Sequence, residues 1–311
     1  MTNSESGNPG HPQESADCIY LSTGVSPSPY ALNAREQANR IRKHLSQKTS
    51  NKSLKRCNTT FQVVKLRAGI REPLEVKDFC GNKHICPSCM GYLYSRFRNQ
   101  LLALLDWWCD ERGSVYTQTL TLPNRNRSLV TKHEHLAKTW NCLCKSKIFT
   151  RIKEQFGVEQ YLRVLEDSLK IVGSNPHYHL TWFFNPTAGN DHMQGFAEEI
   201  GALWEECSKK LGIRGTLASQ QWAGPIRESN TAYSNYMAKH GYLDSSFDPK
   251  KPVGLHQGLK PLDFLRVMLQ SGDKAMYNLF EEYKQATYRR HRIQPSRGFL
   301  WAPKSNANQL P

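Results

Sequence analysis

Two strand-forming runs joined by four turn residues limit the fold more than any other feature of this chain. Residues 160–171 and 176–184 carry alternating or continuous apolar, β-branched and aromatic side chains, the pattern of half-buried and buried strands. Between them Gly173-Ser174-Asn175-Pro176 supplies turn chemistry, so the runs are expected to pair as an antiparallel hairpin. Residues 114–122, SVYTQTLTL, alternate in the same way and stop at Pro123-Asn124, which predicts a further strand. A short strand is expected over residues 218–223. Helical periodicity runs over 91–109, 130–156, 193–211 and 261–288. Ser229 is placed to cap a helix that continues to about His240 and ends at Gly241. The order β, α, ββ, α, β, α predicts an α+β fold, a mostly antiparallel sheet covered by helices.

The length, 311 residues, allows two domains or one domain with extensions. Lys plus Arg outnumber Asp plus Glu by 42 to 27, a net charge of +15. That excess points to a polyanion, nucleic acid before an anionic membrane surface. No run approaches the roughly 18 apolar residues of a membrane span, and the N-terminal residues lack the basic and apolar regions of a secretory signal. A cytoplasmic location with no membrane partner is therefore expected. Residues 1–30 have the composition of a disordered tail. Residues 31–60 hold eight Lys or Arg against one Glu, either a nucleic-acid arm or a solvated linker. Arg40, Arg42 and Lys43 in this arm, with Arg289, Arg290 and Arg292 in the basic tail, are the candidate phosphate contacts. The expected division is a tail at 1–55, a Cys-rich module and helix at 56–110, a catalytic domain at 111–245 and a helical region with a basic tail at 246–311.

In a reducing compartment the nine Cys are read as metal ligands before disulfides. Cys86-Pro-Ser-Cys89 has the spacing of a zinc knuckle, in which one tight turn aims two thiolates at one ion. Cys80 and Cys57 would complete a tetrahedral structural site, with His84 as a rival to Cys57. Cys18, Cys109, Cys142, Cys144 and Cys207 lack ligand spacing and read as small buried or incidental residues.

His177 and His179 lie two apart in an expected strand, so both imidazoles leave the same face, about 6.6 Å apart along the strand. They can converge on one ion, although such pairs also occur as ordinary packing. A turn near Gly173 would bring Glu166 beside them. Two His and a carboxylate with open positions suit a divalent ion that also takes substrate oxygens. Glu166 reads otherwise as a solvated strand residue. His133-Glu134-His135 is the contrast: residues two apart on a helix diverge by about 200°, and this pair is expected at the solvated surface. Tyr233, Tyr236, Lys239 and Tyr242 recur at intervals of three and share a helix face. They are either an aromatic stripe packed on the sheet or a nucleophile with its cation. A phenol, with pKa about 10, needs local activation for that chemistry.

Together these residues resemble the rolling-circle replication initiator (Rep) proteins of small plasmids, a branch of the HUH endonucleases. YTQTLTLPN (116–124) is similar to the family's first motif, NPHYHL with His177 and His179 to the HUH motif, and Tyr236-Met-Ala-Lys239 to YxxK. Cys57 followed by FCGNKHICPSC, and the segments LKPLDFLRVMLQSGDKAM and RIQPSRGF, resemble the plasmid subgroup. The likeness covers about residues 57–300. There are departures. Asn175 stands where many relatives have a further His, the gap from Cys80 to Cys86 is one residue longer, and His84 stands where Arg is common. Ala232 stands where some relatives carry a Glu used in termination, which leaves Glu228 and Tyr233 as candidates for a second base or nucleophile. The resemblance implies a sheet platform with Mg²⁺ or Mn²⁺ held by His177, His179 and Glu166. It also implies a structural Zn²⁺ site, Tyr236 as nucleophile and Lys239 as its partner. It implies plasmid origin DNA as substrate, nicked to a 5′-phosphotyrosine and a free 3′-OH, with a host helicase and polymerase as partners. A related transposase or conjugative relaxase, or a non-catalytic zinc-module DNA-binding regulator, are the rival readings. The chain contains no helicase P-loop of the GxxxxGK[ST] type.

Overall fold

The computed structural model describes residues 39–43, 45, 47, 52–57, 60–67, 70–77, 80–82, 84–123, 127–170, 173–226, 229–239, 258–271 and 274–303. The expectations for residues 1–30, Glu228, Gly241 and Tyr242 lie outside them. Among the described residues no helix is long and apolar enough to cross a membrane.

The fold is α+β. A short helix α1 (Lys52–Arg56) leads into a hairpin of β1 (Thr60–Arg67) and β2 (Ile70–Lys77), and a long helix α2 (Pro87–Glu111) follows. The main sheet then begins with β3 (Ser114–Leu120). Helices α3 (Leu129–Lys145) and α4 (Lys147–Gln155) precede the hairpin of β4 (Val158–Ser168) and β5 (Asn175–Phe184). Helix α5 (Asn190–Lys210), strand β6 (Ala223–Pro225) and helix α6 (Asn230–Ala238) come next. Helices α7 (Pro261–Ser271) and α8 (Lys274–Thr287) and strand β7 (Ile293–Pro295) complete the described elements. The five-stranded antiparallel sheet has the order β6-β3-β5-β4-β7.

Strand alternation sorts the sheet's residues between two cores. Tyr178, Leu180, Trp182 and Phe184 of β5 join Trp140, Phe149, Phe196 and Trp204 from α3, α4 and α5. Phe183 of β5 and Leu162 and Val164 of β4 join a core built from α2, α6, α7, α8 and the Cys-rich segment. His177, His179 and Glu166 fall at the same alternation as this second face, where it is not filled by apolar side chains.

Several elements differ from the expectation. The β1–β2 hairpin occupies the interval between Cys57 and Cys80, where TFQVVKLR and IREPLEVK alternate but the cysteines dominate the pattern. Helix α2 starts inside the CxxC, at Pro87, because proline's fixed φ suits a first helical turn. The helix expected over 130–156 is broken at Ser146, which ends α3 and accepts from the Ile148 amide to cap α4. The strand expected at 218–223 is a 3₁₀ turn, Ala218–Gln220, and only Ala223–Pro225 pairs with β3. The basic C-terminal segment contributes β7, paired with β4 through Leu162, Arg163 and Val164. Ile41, Leu45 and Leu54 are buried in the second core, so part of the stretch expected to be tail belongs to the folded body.

Candidate metal and nucleophile site

Register brings the first cluster together. In the antiparallel hairpin Glu166 lies opposite His177, and in the neighbouring pair Thr119 lies opposite His179. Residues directly opposite share a face, so the carboxylate and both imidazoles project from one side. His179 Nε2 is 2.6 Å from Glu166 Oε2, and the two Nε2 atoms are 3.1 Å apart. One ligand atom from each residue lies within 4.8 Å of the others, and the three side chains are only 11–16% exposed.

The hydrogen bonds behind the rings fit them for a cation. His177 Nδ1 faces the Asn175 carbonyl at 3.0 Å. A carbonyl only accepts, so Nδ1 carries the proton and Nε2 presents a lone pair to the cluster. His179 Nδ1 lies 3.0 Å from the Thr119 hydroxyl, which can accept Nδ1–H and free Nε2 likewise. Burial, then the neighbouring His179, lowers the His177 pKa, so two imidazoliums are disfavoured here. Glu166, His177 and His179 thus form a donor set that could hold a divalent metal.

Ser229 caps α6, its side chain accepting from the Ala232 amide, and the helix lies over this face. Tyr236 Oη is 3.3 Å from His179 Nε2, with the rings edge to face. Lys239 Nζ is 2.8 Å from Glu166 Oε2 and 3.8 Å from the Tyr236 ring centroid. Burial, with the Glu166 charge adding to it, pushes the Tyr236 pKa up to about 12. Neutralising the Glu166 charge would lower it. Tyr233 is turned elsewhere: its hydroxyl lies 2.9 Å from Thr181 Oγ1, and burial pushes its pKa up.

The second cluster is Cys57, Cys80, Cys86 and Cys89. Their sulfurs lie 3.3 Å (Cys57–Cys86), 3.6 Å (Cys57–Cys89) and 3.5 Å (Cys80–Cys89) apart. These are near the edge of about 3.8 Å that a tetrahedron with metal–sulfur bonds of about 2.3 Å requires. Hydrogen bonds from the other three thiols pull Cys57 well below the usual thiol range. Cys89 is pushed up, first by its hydrogen bond with Cys57. The cluster shares protons that a cation can replace, and it could hold a metal such as zinc. Asn82 shapes the knuckle, its side-chain oxygen accepting from the amides of His84 and Ile85. His84 is excluded from the cluster. Its Nδ1 accepts from Arg292 Nε at 3.0 Å and its Nε2 donates to the Arg290 carbonyl at 2.8 Å. Burial, then Arg292, lowers its pKa to about 4.

Two expectations are corrected. Arg292 is not a surface phosphate contact: it is 1% exposed and its Nη2 lies 2.9 Å from Asp167 Oδ2. It also bonds Tyr283 Oη. A guanidinium pointing inward from a strand end finds a carboxylate, not solvent. His133 is not solvated: it is 2% exposed, with Nε2 2.6 Å from Asp167 Oδ1. Leu129, His133, Leu136, Trp140 and Leu143 form one buried stripe of α3, and that spacing was the signal for its burial. His135, on the other side, contacts Arg127 at 2.6 Å. Asp167, next to Glu166 but on the opposite face, had no motif to mark it. Of the other basic candidates, Arg40, Lys43 and Arg289 are exposed. Arg42 donates to the Cys57 carbonyl at 3.2 Å, and Arg290 to the Ala286 carbonyl at 2.7 Å.

No family model matches the chain, and comparison with curated proteins and with solved structures gives no match.

Proposed function

We propose that this protein nicks and rejoins single-stranded DNA through a tyrosine nucleophile with the help of a divalent metal, as a plasmid rolling-circle replication initiator of the HUH type. One observation carries the reading: the only phenol bonded to the two-His, one-carboxylate cluster among the described residues belongs to Tyr236, 3.3 Å from His179 Nε2, with Lys239 between it and Glu166. The residues of the first motif take part as well, since Thr119 holds the back of His179.

His177, His179 and Glu166 would hold Mg²⁺ or Mn²⁺, which supplies charge stabilisation at a phosphate oxygen when bound. The Tyr236 oxygen forms a bond to phosphorus as the bond from phosphorus to the 3′ oxygen breaks. The phenol loses its proton and the leaving 3′ oxygen gains one, so charge and atoms balance. The product is a 5′-phosphotyrosine and a 3′-OH fit to prime a polymerase, and the reverse reaction reseals the strand without ATP. Lys239, against the ring face, stabilises the phenolate. The Cys57, Cys80, Cys86 and Cys89 site is read as structural Zn²⁺. The excess of basic residues fits affinity for phosphates, which carries little sequence information. The substrate is read as plasmid origin DNA, with host helicase and polymerase as partners.

Incubation with single-stranded oligonucleotides spanning candidate origins tests the proposal. With Mg²⁺ or Mn²⁺ the protein is expected to form a covalent adduct that maps by mass spectrometry to Tyr236. Tyr236→Phe is expected to abolish the adduct and retain binding. An adduct on another residue, or full cleavage in EDTA, would overturn it.

A further inference from the structure

A cavity of about 330 Å³ opens beside Tyr236, between α6 and the β3–β6 edge of the sheet. Its size lies at the lower end of the range of about 300–1,000 Å³ typical of small-ligand sites. Trp222, Pro225, Ile226, Ala232, Tyr233 and Tyr236 form much of its wall. The polar groups of the sheet that line it are already occupied. Thr117 Oγ1 donates to the Gly224 carbonyl, and Thr119 Oγ1 is engaged with His179 Nδ1. Gln118 donates to the Ala197 carbonyl and accepts from Trp182 Nε1. The wall therefore favours a flat, largely apolar group over one that needs hydrogen-bond readout.

Trp222 is 49% exposed, yet it is held in place. Its carbonyl accepts from the Thr119 amide at 2.7 Å, and its ring lies against Gly224, where an added Cβ would come within 3.3 Å of the indole. A braced, half-exposed aromatic face at the rim of an apolar cavity is the arrangement that stacks bases of single-stranded nucleic acid. Because Tyr236 lines the same cavity, a base held there belongs to a nucleotide next to the phosphate under attack.

We propose that this cavity is a nucleobase subsite, in which Trp222 stacks one unpaired base of the strand whose phosphate meets Tyr236. The choice of nucleic acid as ligand rests on the strand-nicking reading above. The site discriminates a base from no base more than one base from another, because its stacking wall has few free polar groups.

The test is binding of fluorescent single-stranded 12-mers to the full chain carrying Tyr236→Phe, so that no covalent bond forms. The probes are oligothymidylate, oligodeoxyadenylate and an abasic 12-mer with the same backbone charge. Adding Trp222→Ala is expected to weaken both base-bearing probes about tenfold and to leave the abasic probe unchanged. Trp222→Phe should recover most of the loss. Ala232→Leu, which adds bulk to the cavity from α6 and leaves the indole in place, should reproduce the loss and carries the test if Trp222→Ala does not fold. Unchanged binding, an equal loss on all three probes, or no binding of single strands at all overturns the subsite. Adduct formation by the chain with Tyr236 intact is scored separately. A base-dependent loss without any adduct keeps the subsite and removes the nicking reading. An adduct without a base-dependent loss removes the subsite alone.

Discussion

Arg292 joins regions far apart in the chain. Its guanidinium pairs with Asp167 on β4 and contacts His84 beside the Cys cluster and Tyr283 on α8, while its backbone carbonyl accepts from the Leu165 amide. A buried ion pair is weak evidence for net stability, but removing one partner strands the other charge. Arg292→Met is therefore expected to lower unfolding free energy by about 3–5 kcal/mol, read from urea denaturation. Arg292→Lys should recover only part, since an ammonium cannot reproduce the planar fork. Lys239 presents a different case, partly exposed and placed where charge would develop in the proposed reaction. Lys239→Met is expected to slow single-turnover adduct formation about 10²-fold, the size of effect seen when one such donor is lost, with the melting temperature little changed. An unaltered rate would deny Lys239 its role. The sequence made Lys239 visible through its spacing from Tyr236. It made Glu166 visible because hairpin pairing is local, with only ten residues between it and His177. Arg292 and Asp167 meet across 125 residues, and no short pattern encodes such a contact.

At the scale of elements, α6 has the most to do with the least length. It is nine residues long and carries both Tyr233 and Tyr236. Helices this short are marginal alone, so the Ser229 cap and packing against α2 and the sheet must hold it. Ser229→Ala is expected to cost about 1 kcal/mol in thermal or urea unfolding, and to raise amide exchange within residues 232–236 above that of β5. Equal exchange in both variants would show that packing alone fixes the helix. Strand β3 enters through Gly113, whose amide closes α2 on the Trp108 carbonyl. A Cβ there would collide with the Phe184 carbonyl. Gly113→Ala should destabilise the fold by about 3 kcal/mol, as overpacking a tight site does. Periodicity exposed the long elements, including β3, β4, β5 and α5. It missed β7, which is three residues long and owes its strand form to its partner β4. It also missed the break at Ser146, because apolar spacing continues across it while only the cap marks the change.

For the whole molecule, the Cys cluster and the His–Glu cluster belong to one folded body. Cys57, Cys86 and Cys89 share a core with α2, α7 and α8 and with Leu162 and Val164 of β4. A chain of contacts links the clusters more directly. His84, two residues before Cys86, accepts from Tyr283 Oη through its carbonyl and from Arg292 through its ring. Arg292 holds Asp167, and Asp167 is the neighbour of Glu166 on β4. The division expected from the sequence, a Cys-rich module at 56–110 and a catalytic domain at 111–245, would make the two clusters separable. The shared core predicts otherwise. Cys86→Ser should remove about one zinc per chain and, because a structural metal's binding is part of the folding free energy, loosen the knuckle that orients His84. The loss should then reach β4, weakening Mn²⁺ binding at Glu166, His177 and His179 about tenfold. Metal analysis gives the zinc content, and titration calorimetry with Mn²⁺ on the same folded preparation gives the second affinity. His84→Ala, which leaves all four sulfurs in place, should weaken Mn²⁺ binding while retaining zinc. Zinc-free protein that binds Mn²⁺ as tightly as the parent would show that the clusters are energetically independent, and that the buried Arg292 contacts serve stability alone.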